Sequence, residues 1–278
     1  MKLSIAVPSL DYGRYIGDCL ESIRTQDHAD FEVLIADGGS RDQSLETIAR
    51  FCAADPRFRL VSRSDGGQAD AVQQALALSS GDVLCFLNAD DCYVSASVLS
   101  RVVEALVARP DIDVVTFQGC FIDKDGRRIR RVRTRYHPLD SMKLMKERTA
   151  VLQPATFWRR RVWADIGFRR EFHFVFDVVF LYEAYLRYSW LELPGEVAGY
   201  RWHGGNKSAQ IFSARIAELA EFERLKFGAA SWRGDYLRAI ARLVAVLDRL
   251  PAASVSKRAV RLLVNGLAFF TVYRMPGI

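Results

Sequence analysis

The chain has 278 residues, half of them hydrophobic and 26% charged, which is enough apolar material to bury a sizeable core. Its formal charge of +6 and pI of about 9.1 suit anionic partners such as phosphates or a membrane face. No low-complexity run, internal repeat or Pro/Ser-rich linker is present, which excludes disordered and solenoid architectures.

The five cysteines, Cys19, Cys52, Cys85, Cys92 and Cys120, are odd in number and lack C-x-x-C spacing. Buried thiols in a reducing compartment are expected, not disulfides or zinc. The N-terminus runs from Met-Lys into a strand pattern with no signal-peptide profile. No stretch approaches the ~18 apolar residues of a spanning helix. The expectation is a cytoplasmic protein, with peripheral contact at the inner face of the cell membrane as its sharper form.

Strands and helices alternate through the first half. Leu3 to Pro8 is a short apolar run suited to a buried parallel strand. Ile16, Cys19, Leu20 and Ile23 share one helical face. Phe31 to Ala36 is a second buried strand. Leu45, Ile48, Ala49 and Cys52 mark a second helix, with Asp42 or Ser44 as its cap. Phe58 to Val61 and Asp82 to Leu87 are further strands, separated by a helix through Val72, Ala75 and Leu76. Another helix through Leu99, Val102, Val103 and Leu106 precedes a strand at Val114 to Phe117. This alternation predicts an α/β fold with a mostly parallel central sheet flanked by helices.

Beyond that point the pattern changes. Phe121 to Val132 reads as a hairpin about Asp123-Lys124-Asp125-Gly126. It carries Arg127, Arg128, Arg130 and Arg131, with Arg133 and Arg135 close behind. From about Ile211 the chain reads as wholly helical, ending in the apolar segment Ala259 to Tyr273. The expected organisation is a catalytic domain over 1–210 and a helical extension over 211–278. Within the first, 1–120 is the nucleotide-binding part and 121–210 the acceptor side.

In an open parallel sheet, ligands bind beyond the carboxyl ends of the strands. Those ends read Pro8-Ser9, Asp37-Gly38-Gly39, Asp65-Gly66-Gly67 and Asn88-Ala89-Asp90-Asp91. Neither G-x-G-x-x-G nor G-x-x-x-x-G-K-[ST] is present, which argues against dinucleotide enzymes and P-loop hydrolases. A bare cluster of carboxylates repels phosphate. A hard cation, Mn²⁺ or Mg²⁺, reconciles the two by binding carboxylates and substrate phosphates together. The rim therefore points to chemistry on a nucleotide diphosphate.

The opening strand with Pro8-Ser9, the segment VLIADGGSRDQSLE, the segment SDGGQADAVQQALALSSGDVLCFLNADD and the hairpin FIDKDGRRI resemble the family 2 glycosyltransferases. The resemblance covers residues 1–120 and continues more weakly to about Ser208. It implies the GT-A fold and transfer of a sugar from a nucleotide-diphospho-sugar, with UDP-sugars favoured and inversion at the anomeric carbon. The implied acceptor is a saccharide or lipid-linked saccharide in bacterial surface polysaccharide or glycolipid assembly.

Residue by residue, the resemblance places Asp37 at the nucleobase or ribose and Asp65 with Gly66 at the floor of the nucleotide site. Asn88-Ala89-Asp90 falls on the family's D-x-D motif, with Asp90 as metal ligand and Asn88 standing where the family has Asp. Asp177 falls where the family keeps its general base, with Glu183 as a rival. Arg201-Trp202-His203 and Lys207 resemble a closing segment that brings His203 to the metal and basic groups to the diphosphate. Gln153 and Trp158 are expected to line an acceptor pocket, with core packing as the alternative. A sugar-nucleotidyltransferase would need a Gly-rich basic loop after the first strand, which Pro8-Ser9-Leu10-Asp11 does not offer. A catalytically degenerate sugar-nucleotide-binding protein is the remaining alternative. Nucleic acid is not an expected partner, because the arginine run lies on a hairpin predicted to stand away from the strand ends.

Overall fold

The computed structural model describes residues 1–62, 66–132, 151–169, 171–203, 212–227, 235, 238–243 and 245. It divides into two compact units. The first comprises Met1–Thr134, Val151–Glu171 and Phe176–His203; the second comprises Arg135–Ala150, Phe172–Val175 and Gly204–Ile278.

The first unit opens with β1 (Leu3–Ser9), α1 (Ile16–Arg24), β2 (Phe31–Asp37), α2 (Ser44–Ala54), β3 (Phe58–Ser62), α3 (Gln68–Ala77) and β4 (Val83–Phe86). The short β5 (Cys92–Tyr93) follows, then α4 (Val98–Ala108), β6 (Val114–Ile122) and β7 (Arg128–Val132). A 3₁₀ turn at Gln153–Ala155 leads into β8 (Thr156–Arg159), α5 (Arg160–Ile166), α6 (Phe176–Arg187) and β9 (Trp190–Arg201). Strand order is β3-β2-β1-β4-β8-β6-β9-β5, with β7 paired to β6.

Strands β1 to β4 are mutually parallel where they pair, as the alternation predicts. β8 runs antiparallel to both β4 and β6, β9 runs parallel to β6, and β7 and β5 are antiparallel additions. The sheet is thus mixed in its second half. Every residue of β1 and β2 is buried, which is why both read as apolar runs, interrupted only by Ser4 and Glu32 before their polar ends. α1 buries Ile16, Cys19, Leu20 and Ile23, the face its spacing marked out. The N-cap of α2 is Gln43, not the expected Asp42 or Ser44, and it makes no side-chain cap. Asp42, one residue earlier, accepts the Ser44 N–H through Oδ1 at 2.9 Å and the Gly13 N–H through Oδ2 at 2.7 Å, joining the start of α2 to the loop after β1.

The edge of the parallel strands opposite their carboxyl ends is stitched by one acid. Glu32 accepts the Ser4 hydroxyl at 2.7 Å, the Ser80 N–H at 2.6 Å and the Ser80 hydroxyl at 2.8 Å. Lys2 at 3.5 Å and Arg59 at 3.0 Å add ion pairs. Burial pushes this carboxyl upward, but the Ser80 N–H, the two hydroxyls and Lys2 outweigh it and hold the pKa at about 2. β3, β2, β1 and the entry to β4 are bound together at that edge.

All five cysteines are free thiols, with Cys19, Cys85 and Cys120 buried. In the second unit, α7 (Phe212–Phe227) supplies Glu218, whose carboxylate accepts the N–H groups of His173, Phe174 and Val175 at 2.9, 2.7 and 3.1 Å. The segment Ala259 to Tyr273 lies outside the described residues. Among those described, no helix is long and apolar enough to cross a membrane.

Candidate functional site

The carboxyl ends of β1, β2 and β4 converge on one rim. Ser9 pairs with Asp37 in the β1–β2 register, and the Gly38 N–H donates to the Ser9 carbonyl at 2.8 Å. The Leu87 N–H donates to the Ala6 carbonyl at 2.9 Å, which carries Asn88 to Asp91 onto the same edge. Pro8 is buried, and Ser9, the last buried residue of β1, has a hydroxyl with no hydrogen-bond partner among the described residues. A buried hydroxyl left that way invites a ligand atom.

Asp37 is fully buried. Its Oδ1 accepts the N–H groups of Gly39 (3.0 Å) and Ser40 (2.7 Å), and its Oδ2 accepts the Ser40 hydroxyl at 2.6 Å. The carboxylate thereby shapes the loop beyond β2. Asp65 and Lys207 lie outside the described residues. Gly66 is exposed, and Gly67 opens α3 with φ of +88°, a backbone region where an L side chain would be strained.

Asp90 and His203 meet although 113 positions separate them, with Asp90 Oδ2 and His203 Nε2 3.1 Å apart. Ala89, between Asn88 and Asp90, is fully buried, Asp90 is 6% exposed and Asp91 1%. Burial raises the Asp90 pKa, opposed by His203 and by the Arg201 charge. Asp91 is pushed well above the carboxylate range by burial first and by the Asp90 charge second. Its Oδ1 accepts the Arg201 N–H at 2.9 Å and its Oδ2 the Asn88 amide at 3.2 Å.

Two buried acids side by side are a costly arrangement that a bound cation relieves. Asp90 and His203 supply the oxygen and nitrogen donors a divalent ion accepts, so the residues fit such an ion. Among the described residues no group of three or more His, Cys, Asp or Glu side chains gathers as a ligand set. The remaining coordination positions would fall to substrate oxygens and water. Asn88 is committed elsewhere, because its Oδ1 accepts the Gln68 amide at 2.7 Å while its own amide serves Asp91.

Arg201 departs from its expected role at a diphosphate. The side chain is 1% exposed. Its Nε donates to the Asp90 carbonyl at 2.7 Å, its Nη1 to the carbonyls of Asp123 (3.4 Å) and Lys124 (3.3 Å), and its Nη2 to Asp18 at 3.1 Å. It also lies over the Tyr15 ring, 5.0 Å from the centroid, and the same ring packs 4.6 Å from that of His203. A guanidinium so enclosed orders the rim. Because it grips the turn between β6 and β7, the basic hairpin stands beside the rim, contrary to its expected distance from it.

Trp158 also departs from expectation. The indole is fully buried between Phe86 (6.5 Å) and Phe180 (4.9 Å), so it shows no face to an acceptor. Gln153 is 8% exposed and donates to the Phe86 carbonyl at 2.6 Å, tying the 3₁₀ turn to the end of β4. Asp177 lies half-buried in the first turn of α6, where its Oδ1 accepts the Val178 N–H at 2.9 Å. Phe176 stacks on Phe86 at 5.7 Å, which sets that turn against the carboxyl end of β4. The rival Glu183 is held between Arg169 (2.7 Å) and Arg187 (2.6 Å) as a structural ion.

Tyr12, Tyr15, Asp18 and Gln68 belong to this site and were not singled out from sequence. Tyr12 packs edge-on to His203 at 6.4 Å, and burial with the nearby Asp90 and Asp91 charges pushes its phenol far up. The signal available was the aromatic pair in DYGRYIGD directly after β1, and the glutamine after Asp65-Gly66-Gly67.

Comparison with known proteins identifies the family and the fold. Residues 4–168 match the description Glycosyl transferase family 2. An uncharacterised glycosyltransferase of Nostoc sp. is 27% identical over 238 residues, covering 80% of this chain and 71% of that protein. A PGL/p-HBAD biosynthesis glycosyltransferase of Mycobacterium tuberculosis is 36% identical over 114 residues, but the match spans 40% of this chain and 44% of that relative. Among solved structures, S. aureus TarS in complex with UDP-GlcNAc superposes with a TM-score of 0.64 at 19% identity, covering 98% of this chain and 82% of that one. A mannosyltransferase from Pyrobaculum calidifontis in complex with GDP-Man and Mn²⁺ gives 0.62 at 18% identity, covering 96% and 80%. These likenesses place the α/β sheet among GT-A folds. With more than half of its length matched to the family description, the chain belongs to the family 2 glycosyltransferases.

Proposed function

We propose that this family 2 glycosyltransferase moves a sugar from a nucleotide-diphospho-sugar, a UDP-sugar by preference, to a hydroxyl of a saccharide or lipid-linked saccharide, with inversion. The observation that carries the reading is the Asp90–His203 pair at 3.1 Å on the rim where the unpaired Ser9 hydroxyl and Asp37 also lie. The UDP-GlcNAc and GDP-Man complexes of its structural neighbours support a nucleotide-sugar donor. The Mn²⁺ in one of them supports a divalent ion, Mn²⁺ or Mg²⁺, held by Asp90 and His203.

Such an ion supplies positive charge opposite the diphosphate that departs. The protein's own groups do the rest. Pro8, Ser9, Asp37, Asp65, Gly66 and Ala89 form the nucleotide cradle, and Asn88, fixed by Gln68, orients Asp91. The basic group proposed for the diphosphate is Lys207, which lies outside the described residues. Arg201, with its donors on carbonyls, keeps Asp90 in place. Asp177 accepts the proton of the acceptor hydroxyl as the new C–O bond forms and the anomeric C–O bond to the diphosphate breaks. Residues 1–120 act as the nucleotide part, 121–210 as the acceptor side, and 211–278 as a helical extension. The site of action is the cytoplasm, at the inner membrane face for a lipid-linked acceptor.

Calorimetric titration with UDP, GDP, dTDP and CDP, with Mn²⁺, Mg²⁺ or EDTA, tests this in the wild type and in Asp90→Ala. Metal-dependent binding of one nucleotide that the substitution removes is the expected result. Absence of binding with every nucleotide and metal would leave a degenerate site and end the transferase reading.

A further inference from the structure

The hairpin β6–β7 carries charge that the transfer reaction does not use. β7 pairs only with β6 among the described strands, and Arg128, Ile129, Arg130 and Arg131 are all exposed. Arg128 (2.7 Å) and Arg131 (3.4 Å) share the single carboxylate of Glu196, and Arg131 also reaches Gln118. Arg130 lies 4.8 Å over the Phe121 ring and, like Arg127, has no ion pair among the described residues. Ile129 is 53% exposed in the middle of this basic strand. Trp202, also 53% exposed, stands edge-on to the same Phe121 ring at 6.4 Å. Arg14 and Lys124 flank the turn at Asp125.

We infer that this hairpin, together with Trp202, docks the protein on an anionic lipid surface. Clustered guanidiniums are drawn to negative headgroups, and an indole and an isoleucine side chain reach the boundary between headgroups and acyl chains. Charge on an edge strand also deters edge-to-edge pairing, a role the two arginines on Glu196 already fill. A nucleic-acid backbone would engage the arginines but gives Ile129 no apolar partner.

The placement has a consequence for the site. Arg201 holds the carbonyls of Asp123 and Lys124, and Arg14 holds Asp125 at 3.0 Å, so the hairpin turn is fastened to the rim that bears Asp90 and His203. Docking through the hairpin keeps that rim beside the headgroups, where a lipid-linked acceptor is confined.

Flotation of the full chain tests the inference, using phosphatidylcholine vesicles with and without phosphatidylglycerol. Binding should require the anionic lipid and should be lost when salt shortens the Debye length to about 3 Å. Arg127→Ser/Arg130→Ser should lower partitioning about 25-fold, since each arginine near such a surface contributes about fivefold. Nucleotide affinity and thermal midpoint should stay unchanged in that variant, which shows it is folded. Brominated acyl chains should quench part of the tryptophan emission, and Trp202→Phe should abolish that part. Equal vesicle binding by the double variant, indifference to lipid charge, or tighter binding to duplex DNA at the same salt would each overturn the inference. Vesicle binding needs neither donor nor metal, so its failure is separable from failure of the transferase reading.

Discussion

Replacing Glu32 by Gln keeps the shape of the side chain and removes its charge, at a point where three hydrogen bonds and two ion pairs meet. The folded-state pKa of about 2 lies below the ordinary 4.5, so the ionised form contributes stability above the unfolded value, and this is lost as pH falls through the folded one. At 1.36 kcal/mol per unit the linkage amounts to about 3 kcal/mol. Lys2 and Arg59 are 35% and 51% exposed, so solvent screening reduces their share and about 2 kcal/mol is expected. Urea unfolding followed by tryptophan fluorescence, at steps from pH 7 to pH 3, measures it. The gap between wild type and Glu32→Gln should be full at pH 7 and should fall to roughly two-fifths by pH 3, with an unchanged urea slope. A gap that stays constant across that range would refute the argument, because the loss would then come from shape and not from charge.

Arg201→Met should destabilise the first unit by about 3–5 kcal/mol, since it strands the carbonyls of Asp90, Asp123 and Lys124. Lysine at that position should rescue little, having no planar fork to reach two loops at once; unfolding midpoints decide it. Trp158→Ala should cost about 3–5 kcal/mol through the cavity it leaves, whereas an acceptor-lining indole would leave the midpoint untouched. Asp177→Asn should lower kcat by about a hundredfold or more while donor affinity, read by calorimetry, is retained. Full turnover in that variant would remove Asp177 from the chemistry.

Physical reasons separate what could be read in advance from what could not. β1 and β2 are buried on both faces, so they appear as largely apolar runs ending in Ser9 and Asp37, with Ser4 and Glu32 the polar exceptions. The apolar run of β6 stops at Phe117, because Gln118 and Gly119 break it even though the backbone continues as a strand to Ile122. β9 holds Pro194 and Gly195 within a strand that pairs with residues far away in sequence, and no local pattern announces it. Asp90 and His203 were named through resemblance, since nothing local joins positions 113 apart. Arg201 shows the converse. A basic residue near an acidic rim suggests a phosphate, and only the tertiary structure reveals that its donors are taken by carbonyls from two loops.

That enclosure of Arg201 also sets an order of assembly during synthesis. Asp18, the Asp90 carbonyl and the turn carbonyls of Asp123 and Lys124 all leave the ribosome before the guanidinium that binds them. Seventy-seven residues separate Lys124 from Arg201, a wait of about 4–15 s at ordinary elongation rates. Until then the rim consists of loops without their common donor. A nascent chain halted near residue 120 therefore carries most of the family signature and an incomplete site.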